Sequence, residues 1–502
     1  MSRPRTNTTT PTAIARTKRV EYSEDTPRRR ISGRYDAAKR TTENANLWAG
    51  VDSLSAAQAN NPAVRQIIRD RARHETGNSP YLCGIVSTVA NDIIGPVIRL
   101  QVGSSKEAQK VEADFAKWAK AIKLFKKLRT MCRAKTVDGE GFATMVSNPK
   151  VNNPVKLDIR LFECEMCASY FTANTLKDNE IDGIRFDGNG NATHYRILKY
   201  HPGDYRAFSK SGATAGTWHP AKNIIHWFNE DRAGQVRGVS EVVSSITLFG
   251  QLRRYTSAVV ESSARAAEIS GVISTNLLPD EMAAASIPAR TVMNLERNAV
   301  VSMPDGWEFE QLKAEQPIDA YPDFKKEIVN EAARPLNMPL NVASGNSSGY
   351  NYASGRLDQQ TYKGGIDVTR SDLETEALDR IYAEWLPEYA IKNDLNKAII
   401  DEVKNPVWRY KGRGHADPAK EANADNVRIN NGTLTRTRYY AEQGLDGKIE
   451  EENRITELID GEVAWNAARE KAGLEPAPYP SGLSSFKIST EATTEEPDNA
   501  KN

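Results

Sequence analysis

The chain is short of most things that chemistry would need. Its 502 residues hold four cysteines, Cys83, Cys132, Cys164 and Cys167. That is too few for a disulfide scaffold at this length, and it fits a reducing compartment. Cys164 and Cys167 form a C-x-x-C, but a structural zinc site needs a second ligand pair. A redox pair would open a helix, whereas this one follows an alternating, strand-like run. Both read as ordinary half-buried cysteines. No run approaches the roughly 18 consecutive apolar residues of a membrane helix. An excess of one charge is also missing: Lys plus Arg number 67 against 66 for Asp plus Glu, a net charge of +1. Such a balance does not describe a protein that clamps nucleic acid through overall charge, although it leaves local patches open. The phosphate-loop, H-E-x-x-H and G-x-G-x-x-G patterns are absent; Gly447-Lys448 lacks the upstream glycine and the hydroxyl, and His74-Glu75 lacks the second histidine.

One hydrolase pattern is present. Gly345-Asn346-Ser347-Ser348-Gly349 fits G-x-S-x-G, and His415 is the downstream histidine. A nucleophile elbow needs a buried strand before the serine and a helix directly after it. Here the preceding Pro339 to Ala343 is short and Pro-bounded, and Tyr350 to Gly355 reads as loop. A Gly/Ser loop is the favoured reading, with a serine hydrolase using Ser347 as the minor alternative. Nothing calls for a cofactor or a metal, and the balance favours a structural or assembly protein over an enzyme.

What is there is a long, polar, mainly helical chain. Hydrophobic residues make up 39%, charged residues 26%, and the mean hydropathy is −0.59. The length suggests about three domain-sized units. Residues 1–34 read as a disordered basic tail without a secretory signal; Arg28, Arg29 and Arg30 are a possible arm toward nucleic acid or an acidic partner. Residues 476–502 read as a disordered acidic tail.

A helix starts at Pro62 and carries the basic run Arg65, Arg69, Arg71 and Arg73. Asn78-Ser79-Pro80 breaks it, and an apolar helix from Tyr81 to Ile94 ends at Gly95-Pro96. One helix is expected from Lys106 to Arg133, burying Val111, Phe115, Trp118, Ile122 and Phe125. Lysines 117, 120, 123, 126 and 127 crowd its remainder, as on a solvated face, with DNA contact the alternative. From 137 to 228 the period falls to two, with strands at Phe142 to Val146, Leu157 to Leu161 and Ile224 to Phe228. Asp187-Gly188-Asn189-Gly190 predicts a hairpin between Ile184 to Phe186 and Thr193 to Tyr200. A rod-like helix follows over 240–270, then a small α+β segment over 271–316 with a strand at Trp307 to Glu310, and a helix from Asp323 to Arg334. A loop from Ser344 to Gly355 precedes a long helix from Arg356 to about Trp385. The last folded part, Asp417 to Gly473, is helical, with turns at Gly432, Gly444 and Gly447.

Four segments make this order familiar. They are Arg71-Ala72-Arg73 through Asn91-Asp92-Ile93-Ile94-Gly95; Gly183 to Asp187 with His201-Pro202-Gly203-Asp204, Ile225 to Phe228 and Arg232 to Val239; Asn351-Tyr352-Ala353-Ser354-Gly355-Arg356; and Asp417 to Glu421 with the Gly432 and Gly444 turns. From about Tyr35 to Pro476 the chain resembles the lambda-type portal proteins of tailed bacteriophages. Pro335, where that family usually has a small residue, and Gly355, where Ser is common, depart from the pattern.

The resemblance implies an α+β, mainly helical portal fold that assembles as a cyclic homo-oligomer of about twelve subunits. The ring would sit at one capsid vertex of the virion, after assembly in the host cytoplasm, and double-stranded DNA would pass its channel during packaging, retention and ejection. It implies a wing over 35–235 and 356–414, stem helices over 236–270 and 317–338, a clip over 271–316, a channel loop over 339–355 and a crown over 415–475. Channel-loop residues would be Ser344, Asn346, Ser347, Ser348, Tyr350, Asn351, Tyr352 and Arg356; Arg254, Glu261, Arg265 and Glu268 would face the lumen or a neighbour along the stem. Implied partners are the terminase large subunit, the major capsid and scaffolding proteins and a head-completion adaptor, with no membrane. The competing class is another DNA-associated assembly or adaptor protein, which would concentrate basic residues in its folded body.

Overall fold

Helix starts follow capping chemistry. A computed structural model of the chain describes residues 50, 52–168, 179–205, 216–268, 272–275, 307–310, 321–349, 351–411 and 418–479. Asn61 caps α1, Pro62–Asn78, by accepting from the Ala63 and Val64 amides, and proline takes the first turn, where no amide is needed. Ser79 caps α2, Pro80–Ile94, in the same way, and Gly95 ends it at φ 66°. Both boundaries match the sequence reading. A short strand β1, Ile98–Gln101, follows.

The single helix expected over 106–133 is two: α3, Lys106–Ala121, and α4, Leu124–Asp138. Lys123 turns the corner at φ 58°. The flanking Ile122 and Leu124 are both buried, so the corner lets two apolar faces reach one core where a straight rod would expose one of them.

Strand β2, Glu140–Ser147, is paired antiparallel with β3, Leu157–Phe162. Next come β4, Glu180–Ile181; β5, Ile184–Phe186; β6, Ala192–Leu198; and β7, Gly216–Pro220, neighbours in that order in one antiparallel sheet. The predicted hairpin joins β5 to β6: Asp187 Oδ1 accepts from the Asn189 and Asn191 amides at 2.8 Å, and Gly190 takes φ 88°. Strand β8, Ile224–Phe228, completes the first sheet on the other edge of β2. Phe142, Ala143 and Met145 are all buried, because β2 is covered on both faces. Its far face packs on a second cluster of Cys164, Cys167, Ile184, Tyr195 and Ile224. The two cysteines, expected half-buried, are fully so, and Cys164 opens a 3-10 turn, Cys164–Met166.

The long helix α5, Ile246–Glu268, begins later than expected, after a 3-10 turn, Val243–Ser245. Its 23 residues span roughly 35 Å. Strands β9, Val272–Thr275, and β10, Trp307–Glu310, pair antiparallel with each other, and α6, Tyr321–Ala333, returns. A short α7, Leu340–Ser344, precedes α8, Tyr352–Leu373, which starts four residues before the expected Arg356. It continues through a π turn, Glu374–Leu378, into α9, Asp379–Lys392, well past Trp385. After α10, Lys397–Val403, strand β11, Val407–Tyr410, pairs antiparallel with β1. Phe115, Trp118, Tyr382, Trp385 and Trp408 form an aromatic nest with centroids 5.1–6.3 Å apart, joining α3 to α9 and β11.

The last helices are α11, Pro418–Asn430; α12, Arg436–Glu442; and α13, Gly447–Lys471. Gly432 and Gly444 turn at φ 77° and 76°, as read, whereas Gly447 opens α13 behind the Asp446 cap. At Gly444 the backbone comes so close to β11 that a side chain would meet the Tyr410 carbonyl at 2.3 Å.

Candidate functional site at the long helix pair

The expected stem is an antiparallel pair. Ser245 Oγ donates to the Ala332 carbonyl at 2.7 Å, and eleven residues on, Tyr321 donates to Thr256 Oγ1 at 3.1 Å. Tyr255 packs on Tyr321 and Phe324 at 5.7 and 5.1 Å. The buried stripe of α5 is Ile246, Phe249, Leu252 and Val259, spaced as one helix face. Arg254, Glu261, Arg265 and Glu268 fall on another common face by the same periodicity. Arg254 and Glu261 are exposed there, and Ser257 donates to Glu261 at 3.3 Å. The side chains of Arg265 and Glu268 lie outside the described residues, as do Arg28, Arg29, Arg30 and Tyr350.

The α5–α6 pair is fixed to the body by groups that sequence reading left without a role. Arg253 spans to α1 and donates to Glu75 at 2.9 Å. Just before α5, the buried Arg237 donates twice to Glu140, at 2.6 and 2.8 Å, and also to the carbonyls of Cys164, Cys167 and Asp182. His226 adds a bond to Glu140 at 3.1 Å, and Arg69 approaches at 3.4 Å. Burial pushes the Glu140 carboxyl upward, but Arg237 and then His226 outweigh it and hold it far below the usual range. Burial lowers His226 against the pull of Glu140, so the ring is neutral at pH 7. A neutral His226 must donate Nε2–H to Glu140, which leaves Nδ1 to accept from Tyr195, 3.4 Å away.

Next to this centre, Gly139 at φ 92° meets Gly238 backbone to backbone; a side chain on Gly238 would lie 2.0 Å from the Gly139 carbonyl. Most of the basic run on α1 is drawn inward, and Arg71 is its one exposed member. Arg65 and Arg69 are buried, Arg65 binds Asp182 at 3.1 Å, and Arg73 binds Asp138 at 2.7 Å and Glu165 at 2.9 Å. Glu163, Glu165 and His201 also converge, with Arg69 and Arg73 supplying the positive charge. Burial pushes the Cys167 thiol up to about 11, so it stays protonated and a poor nucleophile.

The Gly/Ser loop is shorter than expected. Ser344 ends α7, and Asn346, Ser347 and Ser348 are exposed between Gly345 and Gly349 at φ 65° and 84°. Ser344 Oγ donates to the Leu340 carbonyl at 2.7 Å, and Asn346 Oδ1 accepts from the Ser348 amide at 2.9 Å. Asn351 caps α8 by accepting from the Ser354 amide, so Tyr352 and Arg356 belong to the first turns of that helix. The helix starts early because Asn351 supplies a good cap ahead of Ser354, whose amide it accepts from. This geometry removes the hydrolase alternative at Ser347. A helix, not the buried strand of a nucleophile elbow, precedes the serine. His415, the expected partner, lies outside the described residues.

A family model described as phage portal protein, lambda family, matches residues 43–369. A search of curated proteins finds no match. Among solved structures, the neck of a native GTA particle computed with C12 symmetry is 13% identical, covering 74% of this chain and 92% of that one at a TM-score of 0.40. The neck of an empty GTA particle computed with C6 symmetry is 13% identical over 75% and 93%, at 0.42. An HK97 family portal protein from Corynebacterium diphtheriae is 12% identical over 65% and 99%, at 0.29. Those likenesses are too distant to carry an argument, and the assignment rests on the family model. That model spans most of the chain and takes in the helix pair, its Arg237 anchor and the loop beyond, and the chain belongs to the lambda family of phage portal proteins.

Proposed function

We propose that the chain assembles as a closed ring of about twelve copies at the capsid vertex, and that double-stranded DNA passes through its centre. The observation that carries this is the antiparallel α5–α6 pair, tied at its base by Arg237 and Arg253 and tipped by β9 and β10. In this reading α5 and α6 form the stem, β9 and β10 belong to the clip, and residues 344–351 form the channel loop. The continuous helix made of α8 and α9 belongs to the wing, and α11 to α13 form the crown. The protein is a conduit with no catalytic step of its own. A packaging ATPase would dock at the clip, and capsid, scaffolding and adaptor proteins would meet the outer surfaces.

A conduit must hold DNA without gripping it. Each cation placed on a phosphate releases counterions and adds affinity, so a strongly basic lining would stall transport. The mixed signs of Arg254, Glu261, Arg265 and Glu268 on one face of α5 suit that requirement. Exposed Asn346, Ser347 and Ser348 suit a loop that touches DNA through neutral groups.

Negative-stain electron microscopy with light scattering tests the reading. The expected outcome is a ring with a central hole at about twelve times the chain mass. A compact dimer without a hole would overturn it.

A further inference from the structure

We propose that the acidic C-terminal stretch, residues 480–502, docks in a basic-rimmed apolar groove between β1 and the α3–α4 corner of its own protomer. This rests on the groove and the stretch alone and stands independently of the conduit reading. The groove encloses about 660 Å³. Ile98, Leu100, Phe115 and Leu124 make its buried floor, and Val97 beside them is 47% exposed. Its rim carries the exposed Arg99, Lys120, Lys123 and Lys126. None of these four makes an ion pair among the described residues. The one acid in the lining, Glu112, turns to the backbone and accepts from the Val102 amide at 2.8 Å. Lys123 holds its place on the rim in the left-handed region, φ 58°, a backbone conformation that residues with a side chain seldom adopt. Cations clustered over an apolar floor, with the one local carboxylate turned to the backbone, suit an occupant that is both anionic and partly apolar.

The chain carries such a segment. Glu491, Glu495, Glu496 and Asp498 match the rim, and Leu483, Phe486 and Ile488 precede them to match the floor. Reach is sufficient. Tyr479 rests on Gly461 and Trp465 of α13, and the fourteen residues from Gly461 back to Gly447 cover roughly 21 Å of helix. At the start of α13, Asp446 accepts from Gln101 at 2.7 Å, and Gln101 follows the groove residue Leu100 in β1. Glu491 lies twelve residues beyond Tyr479, and an extended chain of that length spans about 40 Å.

The test is chymotryptic cleavage after Phe486 in the full-length protein, followed by mass spectrometry. Reversing the rim with K120E/K123E/K126E, or the stretch with E491K/E495K/E496K, should each speed cleavage about tenfold, because proteolysis tracks the undocked population. Combining both sets should restore slow cleavage. Should the rim variant misfold, the tail variant carries the test alone, since it leaves every groove residue unchanged. Equal rates in parent and tail variant would overturn the proposal, and protection that grows with protein concentration would move the site to a neighbouring copy and overturn the same-protomer assignment.

Discussion

Glu140 has no exposed side-chain surface and spends its charge on Arg237, His226 and Arg69. A buried pair of this kind adds little over a well-packed apolar substitute, yet removing one partner strands the other charge. Arg237→Ala should therefore cost about 3–5 kcal/mol in denaturant unfolding. The centre also sets a pH dependence. Both Glu140 and His226 titrate lower in the folded state, so the unfolded chain binds more protons on acidification and stability falls. The His226 part should begin near pH 6.5 and the Glu140 part near pH 4.3, the ordinary values of the two groups. In His226→Asn, acid titration followed by circular dichroism should show the upper limb gone and the lower retained. A curve that keeps both limbs would contradict the assignment. At the same spot, Gly238→Ala would press a methyl onto the Gly139 carbonyl, at a cost of about 3 kcal/mol, the upper end of overpacking.

Between elements, the aromatic nest separates packing from hydrogen bonding. Trp118 and Trp385 are both fully buried, but Trp118 Nε1 donates to the Leu157 carbonyl at 2.9 Å, whereas Trp385 Nε1 has no partner. Trp118→Phe loses volume and strands an acceptor, while Trp385→Phe loses volume and removes an unsatisfied donor. The first should destabilise by about 1–3 kcal/mol more than the second, measured as a difference in denaturation midpoints. Element boundaries show where sequence reading worked. The α1–α2 break and the β5–β6 hairpin rest on Ser79-Pro80 and Asp187–Gly190, whose chemistry is local. The α3–α4 corner was missed because Lys123 carries no turn signal; burial of Ile122 and Leu124 from opposite sides imposes it.

Across the whole molecule, the β9–β10 pair, proposed above to belong to the clip, is the part most separable from the core among the described residues. β9 and β10 form a two-stranded sheet that pairs only within itself among the described residues. Replacing residues 272–310 by a short Gly/Ser linker should leave the body's unfolding midpoint within about 3 °C of the parent, a change of no more than roughly 3 kcal/mol at this chain length. The same variant should fail to recruit a packaging motor, if the clip is its docking site. A large fall in the midpoint would mean that the clip is part of the folding core.

The sequence by itself determined the order of most helices and strands, the α1–α2 break, the β5–β6 hairpin and the family, because each is written in short stretches or in their spacing. It also placed Arg237-Gly238 between the strand ending at Phe228 and the rod-like helix over 240–270. Only the tertiary structure decided what that point does. Arg237 finds Glu140 ninety-seven residues upstream, and Gly238 is needed because Gly139 lies against it. Of the four arginines of α1, Arg65, Arg69 and Arg73 look basic in sequence but turn inward in the fold, since their carboxylates come from Asp138, Glu140, Glu165 and Asp182 on other elements, while Arg71 is exposed. A charge is legible in sequence; its partner is chosen by the path of the chain through space.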